Sequence, residues 1–162
     1  MDAETFEPFT SGLTYPMYVL TVPAVGEPRP AGCLVGFATQ CSIWPVRFLV
    51  CVSKRNHTYR ALKGVDFVGL HLLGDDTREL AELFGTRTGD DVDKFAHCQW
   101  ATGPAGVPIL QRCASWFVGG IDRRMDLGDH AGLLLTPVHV AGAKVTPLML
   151  SDVHGLRAGH EA

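Results

Sequence analysis

The chain reads as a mainly β protein, a closed antiparallel barrel with helices attached at its side. Three observations predict this. Apolar runs rich in β-branched and aromatic residues recur with short turn segments between them. They outnumber the helical patterns, of which two stand out and both fall as insertions between strands. No GxGxxG follows a strand, which argues against a parallel dinucleotide-binding sheet, and Gly32-Cys33-Leu34-Val35-Gly36 does not replace it. With 162 residues, 46% of them apolar and 19% charged, the chain suits one domain with a real core.

Residues 1–13 show no clear period and read as a leading segment. Tyr15 to Val25 has strand composition, and Gly26-Glu27-Pro28-Arg29-Pro30 breaks it with strong turn chemistry. Ala31 to Ser42 resumes an apolar strand, so the two form a β-hairpin. Trp44-Pro45 punctuates before Phe48 to Val52, a continuous apolar run of the kind buried on both faces. Asn56 is placed to cap a short helix, His57 to Lys63, with Gly64 closing it. Phe67 to Leu73 is the next strand. Asp76-Thr77-Arg78-Glu79 has capping-box form and opens a helix whose Leu80, Leu83 and Phe84 share a face. Gly85 to Pro108 is polar and Gly-rich and reads as a long loop with a helical turn near Asp93 to Ala96. Ile109 to Ile121 and Ala131 to Ala141 read as long strands joined by the charged connection Asp122 to His130. The tail after Leu150 is expected to be loose.

Charge is unevenly placed along this chain of formal net charge −3. None of the 17 carboxylates lies between Glu27 and Asp66, whereas six of the 14 Lys and Arg residues do: Arg29, Arg47, Lys54, Arg55, Arg60 and Lys63. Within that window Ser53-Lys54-Arg55 meets Asn56-His57-Thr58, so hydroxyls, cations and helix amides converge as an anion requires. The bland alternative is a solvated basic turn capped by Asn56. Gly36-Phe37-Ala38-Thr39-Gln40-Cys41-Ser42 reads either as an ordinary strand with a Gly bulge or as a place where a flat ligand approaches the backbone. A cationic stripe long enough for nucleic acid is absent, and no run reaches the roughly 18 apolar residues of a membrane span. The five cysteines form no CxxC pair, His97 and Cys98 lack further ligands, and the acidic start leads into no apolar signal region. A reduced, cytoplasmic protein without a metal is expected.

In their order, these segments resemble the flavin reductase-like family, the FMN-binding split barrel of antiparallel Greek-key type that includes NAD(P)H:flavin oxidoreductases. The resemblance rests on the run from Gly32 through Tyr59, on Leu80-Ala81-Glu82-Leu83-Phe84, on Asp93-Lys94-Phe95, on Gly106-Val107-Pro108-Ile109-Leu110 and on Leu127-Gly128-Asp129-His130. It covers about residues 13–141, leaving 1–12 and 151–162 peripheral to a single domain over 1–162. It implies that Gly36, Phe37, Ala38, Thr39, Gln40, Cys41 and Ser42 contact the isoalloxazine and ribityl chain. Val52, Ser53, Lys54, Arg55, His57 and Thr58 then take the phosphate end, and His130 sits at the nicotinamide. A lone His at a strand edge is otherwise more often structural.

The implied activity is NAD(P)H-dependent reduction of FMN, with FAD or riboflavin as alternative flavins and NADH or NADPH as reductant. Catalysis is by positioning, without a catalytic acid or base. A homodimer and a flavin-dependent monooxygenase are the implied partners. The competing readings are an FMN-binding electron-transfer or flavin-storage protein without nicotinamide turnover, and a split-barrel enzyme using deazaflavin or heme. The family's Asp-Pro-Pro is replaced by Trp44-Pro45-Val46, where Trp44 either extends the flavin wall or blocks it.

Overall fold

The computed structural model describes residues 1–156 and 159. Its strands are β1 (Tyr18–Val22), β2 (Ala31–Val35), β3 (Ala38–Ser42), β4 (Arg47–Ser53), β5 (Phe67–Leu72), β6 (Trp100–Thr102), β7 (Pro108–Leu110), β8 (Ser115–Asp126) and β9 (His130–Ala141). The helices are α1 (Ala3–Thr10), α2 (His57–Ala61) and α3 (Arg78–Thr86). Seven strands form one antiparallel sheet in the order β2-β1-β5-β8-β9-β4-β3, and β6 pairs with β7 apart from it. The two edge strands, β2 and β3, are consecutive in the chain, with only Gly36 and Phe37 between them. Two residues cannot span an open sheet of this width, so the sheet curls until its edges meet, which is the expected barrel.

That bend is the main departure from the sequence reading. Ala31 to Ser42 is not one strand: it breaks at Gly36 and sends β3 to pair with β4 rather than β1. A Cβ at Gly36 would stand 2.4 Å from the Tyr15 ring, so only glycine lets the chain turn here against the aromatic. The expected strand Ile109 to Ile121 also divides. Pro108–Leu110 pairs with Trp100–Thr102 from the expected long loop, and β8 starts afresh at Ser115. The charged connection is shorter than expected, because Asp122 to Asp126 continue β8 and the turn is confined to residues 127–129.

Helix starts differ in detail. Asp2 caps α1 by accepting from Thr5 N, an ordered start in the segment without a visible period. Asn56 caps α2 through Thr58 N as anticipated, though α2 ends at Ala61, two residues early, and Gly64 takes positive φ after it. Asp76 is not the cap of α3. A 3-10 turn over Asp75–Thr77 leads into the helix, and the Thr77 hydroxyl bonds to Gly74 N and O instead.

Two large apolar clusters follow from this wrapping, with a smaller one around Val107, Ile109 and Val118. The barrel interior holds Leu20, Val22, Val50, Val52, Leu62, Val68, Leu70, Leu133 and Leu135. The second, under α3, packs Leu80, Ala81 and Phe84 against Met17, Val19, Phe95, Leu110 and Val153, with Leu83 only partly buried. Gly32 has no room for a Cβ, which would meet Phe84 Cε1 at 2.8 Å, so α3 seats directly on β2. Burying a Phe of this kind stabilises by roughly 1.5–3 kcal/mol. Val153 at 4% exposure, with Leu150 and Leu156 against the same cluster, ties down the start of the segment expected to be loose; its end lies outside the described residues. No helix among the described residues is long and apolar enough to cross a membrane.

Candidate functional site

The bend between β2 and β3 opens a cavity of about 260 Å³ whose lining includes Tyr15, Gly36, Phe37, Val52, Ser53, Asn56 and His130. Register brings these together from distant sequence. Ser53 at the end of β4 is paired with His130 at the start of β9, and Cys51 N donates to Phe37 O at 2.8 Å. Three rings form one side. Phe37 lies 5.5 Å from the His130 ring and 5.8 Å from Tyr15, centroid to centroid, and is itself 55% exposed at the mouth. His130 Nδ1 is 2.8 Å from Asp129 Oδ1, which fixes the imidazole plane; that contact also holds the Asp129 carboxyl below its usual range.

Of the residues singled out from sequence, Gly36, Phe37, Val52, Ser53 and His130 line this cavity. Thr39, Gln40 and Cys41 lie exposed on β3, the outer edge of the sheet, with Ala38 and Ser42 half-buried at its ends. Gln40, Cys41 and Ser42 border a shallow hollow with Ile43 and Trp44. The basic turn is divided as well. Lys54 Nζ is 2.6 Å from Asp126 Oδ1 and faces away from the cavity. His57 Nδ1 lies 2.9 Å from Asp90 Oδ1, which Arg60 also holds at 2.5 Å. These two partners, Arg60 first, push the Asp90 carboxyl down to about 2. Thr58, on the inner face of α2, is buried at 1% exposure rather than presented to a ligand. Arg55 is exposed on the turn, where its amide donates to Ser53 Oγ at 3.3 Å.

Sequence reasoning did not select Tyr15, Asn56, Phe84, Gly85 or the apolar residues Leu150, Val153 and Leu156 for this site, although all line it. Asn56 carried a signal, its cap position beside the basic residues. The others reach the cavity through tertiary packing, and no local pattern marks them. Cys33 and Cys51 also line it, but burial pushes both thiols up, that of Cys33 to about 11, so neither offers a thiolate near neutral pH. Among the described residues no group of three or more His, Cys, Asp or Glu is arranged to hold a metal.

A slot with an aromatic wall, a glycine backbone that a ligand can approach and a hydroxyl-bearing turn at one end suits a planar ring that carries an anionic tail. The donor set fits a flavin mononucleotide. Gly36 and Phe37 offer backbone and ring surface, and Ser53 with the turn through Asn56 offers the polar end.

Comparison with known proteins agrees with this fold. The flavin reductase like domain matches residues 10–155 of this chain. A ferric-chelate reductase (NAD(P)H) from Archaeoglobus fulgidus is 29% identical over 162 residues, covering 98% of this chain and 92% of that protein. The reductase subunit of a flavin-dependent monooxygenase from Rhodococcus jostii is 30% identical over 103 residues, covering 61% of this chain and 51% of that subunit. The chain spans 65% and 48% of the length of two further curated relatives. Among solved structures, a flavin reductase domain protein from an Arthrobacter species superposes with a TM-score of 0.82 at 28% identity, over 93% of this chain and 92% of that one. The barrel, the cavity at its β2–β3 bend and the match over residues 10–155 together place the chain in the flavin reductase like domain family.

Proposed function

We propose that this protein is an NAD(P)H-dependent FMN reductase that supplies reduced flavin to a separate flavin-dependent monooxygenase. The observation that carries the reading is the convergence of Phe37, Ser53 and His130 on one cavity within a flavin reductase fold. Bound there, FMN would supply two-electron chemistry towards a reduced nicotinamide. The chain's own work is to position. Gly36 and Phe37 admit the ring edge to the backbone, Val52 forms the apolar floor, and Ser53 with the turn amides and Arg55 holds the phosphate. His130, fixed by Asp129, stands at the open side where a nicotinamide would stack against Phe37. Relatives that are an NAD(P)H-dependent reductase and a monooxygenase reductase subunit support the assignment of reductant and partner.

The active unit in this reading is a homodimer. The cavity lies just below the ~300–1,000 Å³ typical of cofactor sites, Phe37 in its lining is exposed beside the edge strand β3, and Ile43, Trp44 and Val46 are exposed in the turn that follows β3. A second copy over that edge would cover the apolar residues and give Ala38, Thr39, Gln40, Cys41 and Ser42 a ligand wall to complete. Five cysteines without a disulfide fit a cytoplasmic setting. The test is spectrophotometric. NADH or NADPH oxidation should rise far above the protein-free rate when FMN is added with oxygen as acceptor. FMN binding without turnover by either nucleotide would replace this reading with that of a flavin carrier.

A further inference from the structure

A larger cavity, of about 600 Å³, shares no lining residue with the flavin site and is not used by the proposed reaction. The two adjoin along the chain: Ser53 and His130 line the first, and the next residues, Lys54 and Ala131, line the second. Its walls are α2 with the turn after it and the β8–β9 hairpin. Its floor is the end of the barrel core, where Leu62, Ala131 and Leu133 are 2%, 7% and 1% exposed. The Tyr59 ring and the Met125 thioether flank that floor.

The rim carries a surplus of positive charge in a chain of formal net charge −3: Lys54, Arg60, Lys63 and Arg124 border it, and with Asp126 on Lys54 and Asp90 on Arg60 the surplus rests on Lys63 and Arg124. Three of the cations are held in place by the fold. Lys54 pairs with Asp126, Arg60 with Asp90 on its outer side, and Arg124 donates to the Val65 carbonyl. Lys63 has no ion-pair partner among the described residues and stands exposed at the end of α2. An apolar floor with an aromatic flank and a surplus of cations at the edge matches a ligand whose flat apolar body carries an acidic group.

We propose that this second cavity binds a ring-bearing anion, with the ring on Leu62, Leu133 and Tyr59 and the acidic group at Lys63 and Arg124. Two sources share that chemistry, a small aromatic carboxylate and the adenosine-phosphate portion of a nucleotide. Calorimetric titration of the full chain, alone and saturated with FMN, separates them, with 4-hydroxybenzoate and adenosine 2′,5′-bisphosphate as probes. Inorganic phosphate serves as the control without a ring and 4-hydroxybenzamide as the control without charge. At least one probe should bind equally with and without FMN, and better than either control. Lys63→Glu should weaken that binding about tenfold while leaving FMN affinity unchanged, and Tyr59→Ala should weaken it less. The probe that binds identifies the source. Binding by neither probe, competition with FMN, controls that bind as well as the probes, or indifference to Lys63→Glu in a variant of wild-type circular dichroism would overturn the proposal.

Discussion

Two sets of basic groups in this protein are held in opposite ways. Around α2, Lys54, His57 and Arg60 are satisfied by carboxylates at the surface, Asp126 and Asp90. In the interior, Lys94 and His71 are satisfied by the backbone. Lys94 Nζ donates to Gly32 O at 3.1 Å and to Phe84 O at 3.0 Å, with the Phe84 ring centroid 5.6 Å away, joining β2 to the end of α3. His71, fully buried, donates from Nδ1 to Val19 O and accepts Leu110 N at Nε2, clipping β7 to the barrel. Surface ion pairs contribute roughly 0–1 kcal/mol each and can exchange one anion for another. A buried group between fixed carbonyls cannot. The outer set is therefore held by surface pairs of small worth, and the inner set is architecture.

The sharpest way to break this contrast is pH. Burial pushes the His71 imidazole down to about 4, so it is neutral in the fold. Because the unfolded chain takes up its proton at a higher pH than the fold does, His71's neutral clip contributes fully above about pH 6.5. It is lost as pH falls towards 4, and unfolding free energy should drop by about 3 kcal/mol across that window. Denaturant unfolding at several pH values reads this directly, and a flat profile between those limits would remove His71 from the architecture. Asp90, whose depressed range lies between about 2 and 3.8, acts only below that window.

Lys94 gives the next effect. Burial lowers the Lys94 ammonium's proton affinity, and Lys94→Met removes a costly buried charge but leaves the Gly32 and Phe84 carbonyls unpaired. A net loss of about 2 kcal/mol is expected by chemical denaturation. An unchanged midpoint would mean that the two carbonyls find other partners. The smallest effect belongs to the outer set: Asp90→Asn should change stability by less than about 1 kcal/mol. A loss as large as that for Lys94→Met would erase the distinction between the two regions.

The contrast also shows which features the sequence reveals. The Asn56 cap, the glycine after α2, the first hairpin and the amphipathic face of α3 are local patterns of period and turn chemistry, and they are legible. The carboxylate-free window marked a run of cations. It could not show that Asp126 comes back to Lys54 from 72 residues away, or Asp90 to His57 from 33. The change of pairing partner at Gly36, read from sequence at most as a bulge, was hidden for a similar reason. Gly36 lies inside an apolar run, and the Tyr15 ring that packs where its Cβ would stand comes from outside that run. Lys94, in the polar stretch after α3, gave no sign that its ammonium would be buried at 4% exposure. Elements were therefore readable where their causes are neighbours in sequence, and the site was readable only in part because its walls come from six separate segments.

The central claim is that the cavity at the β2–β3 bend holds FMN with its phosphate at the Ser53 turn. Fluorescence titration of Ser53→Asp with FMN and with riboflavin tests it most directly, because the added carboxylate opposes a phosphate and leaves a neutral flavin largely indifferent. FMN should bind at least about tenfold more weakly than to the wild type, with riboflavin affinity nearly unchanged. Equal loss for both flavins, or no loss for either, would contradict the placement.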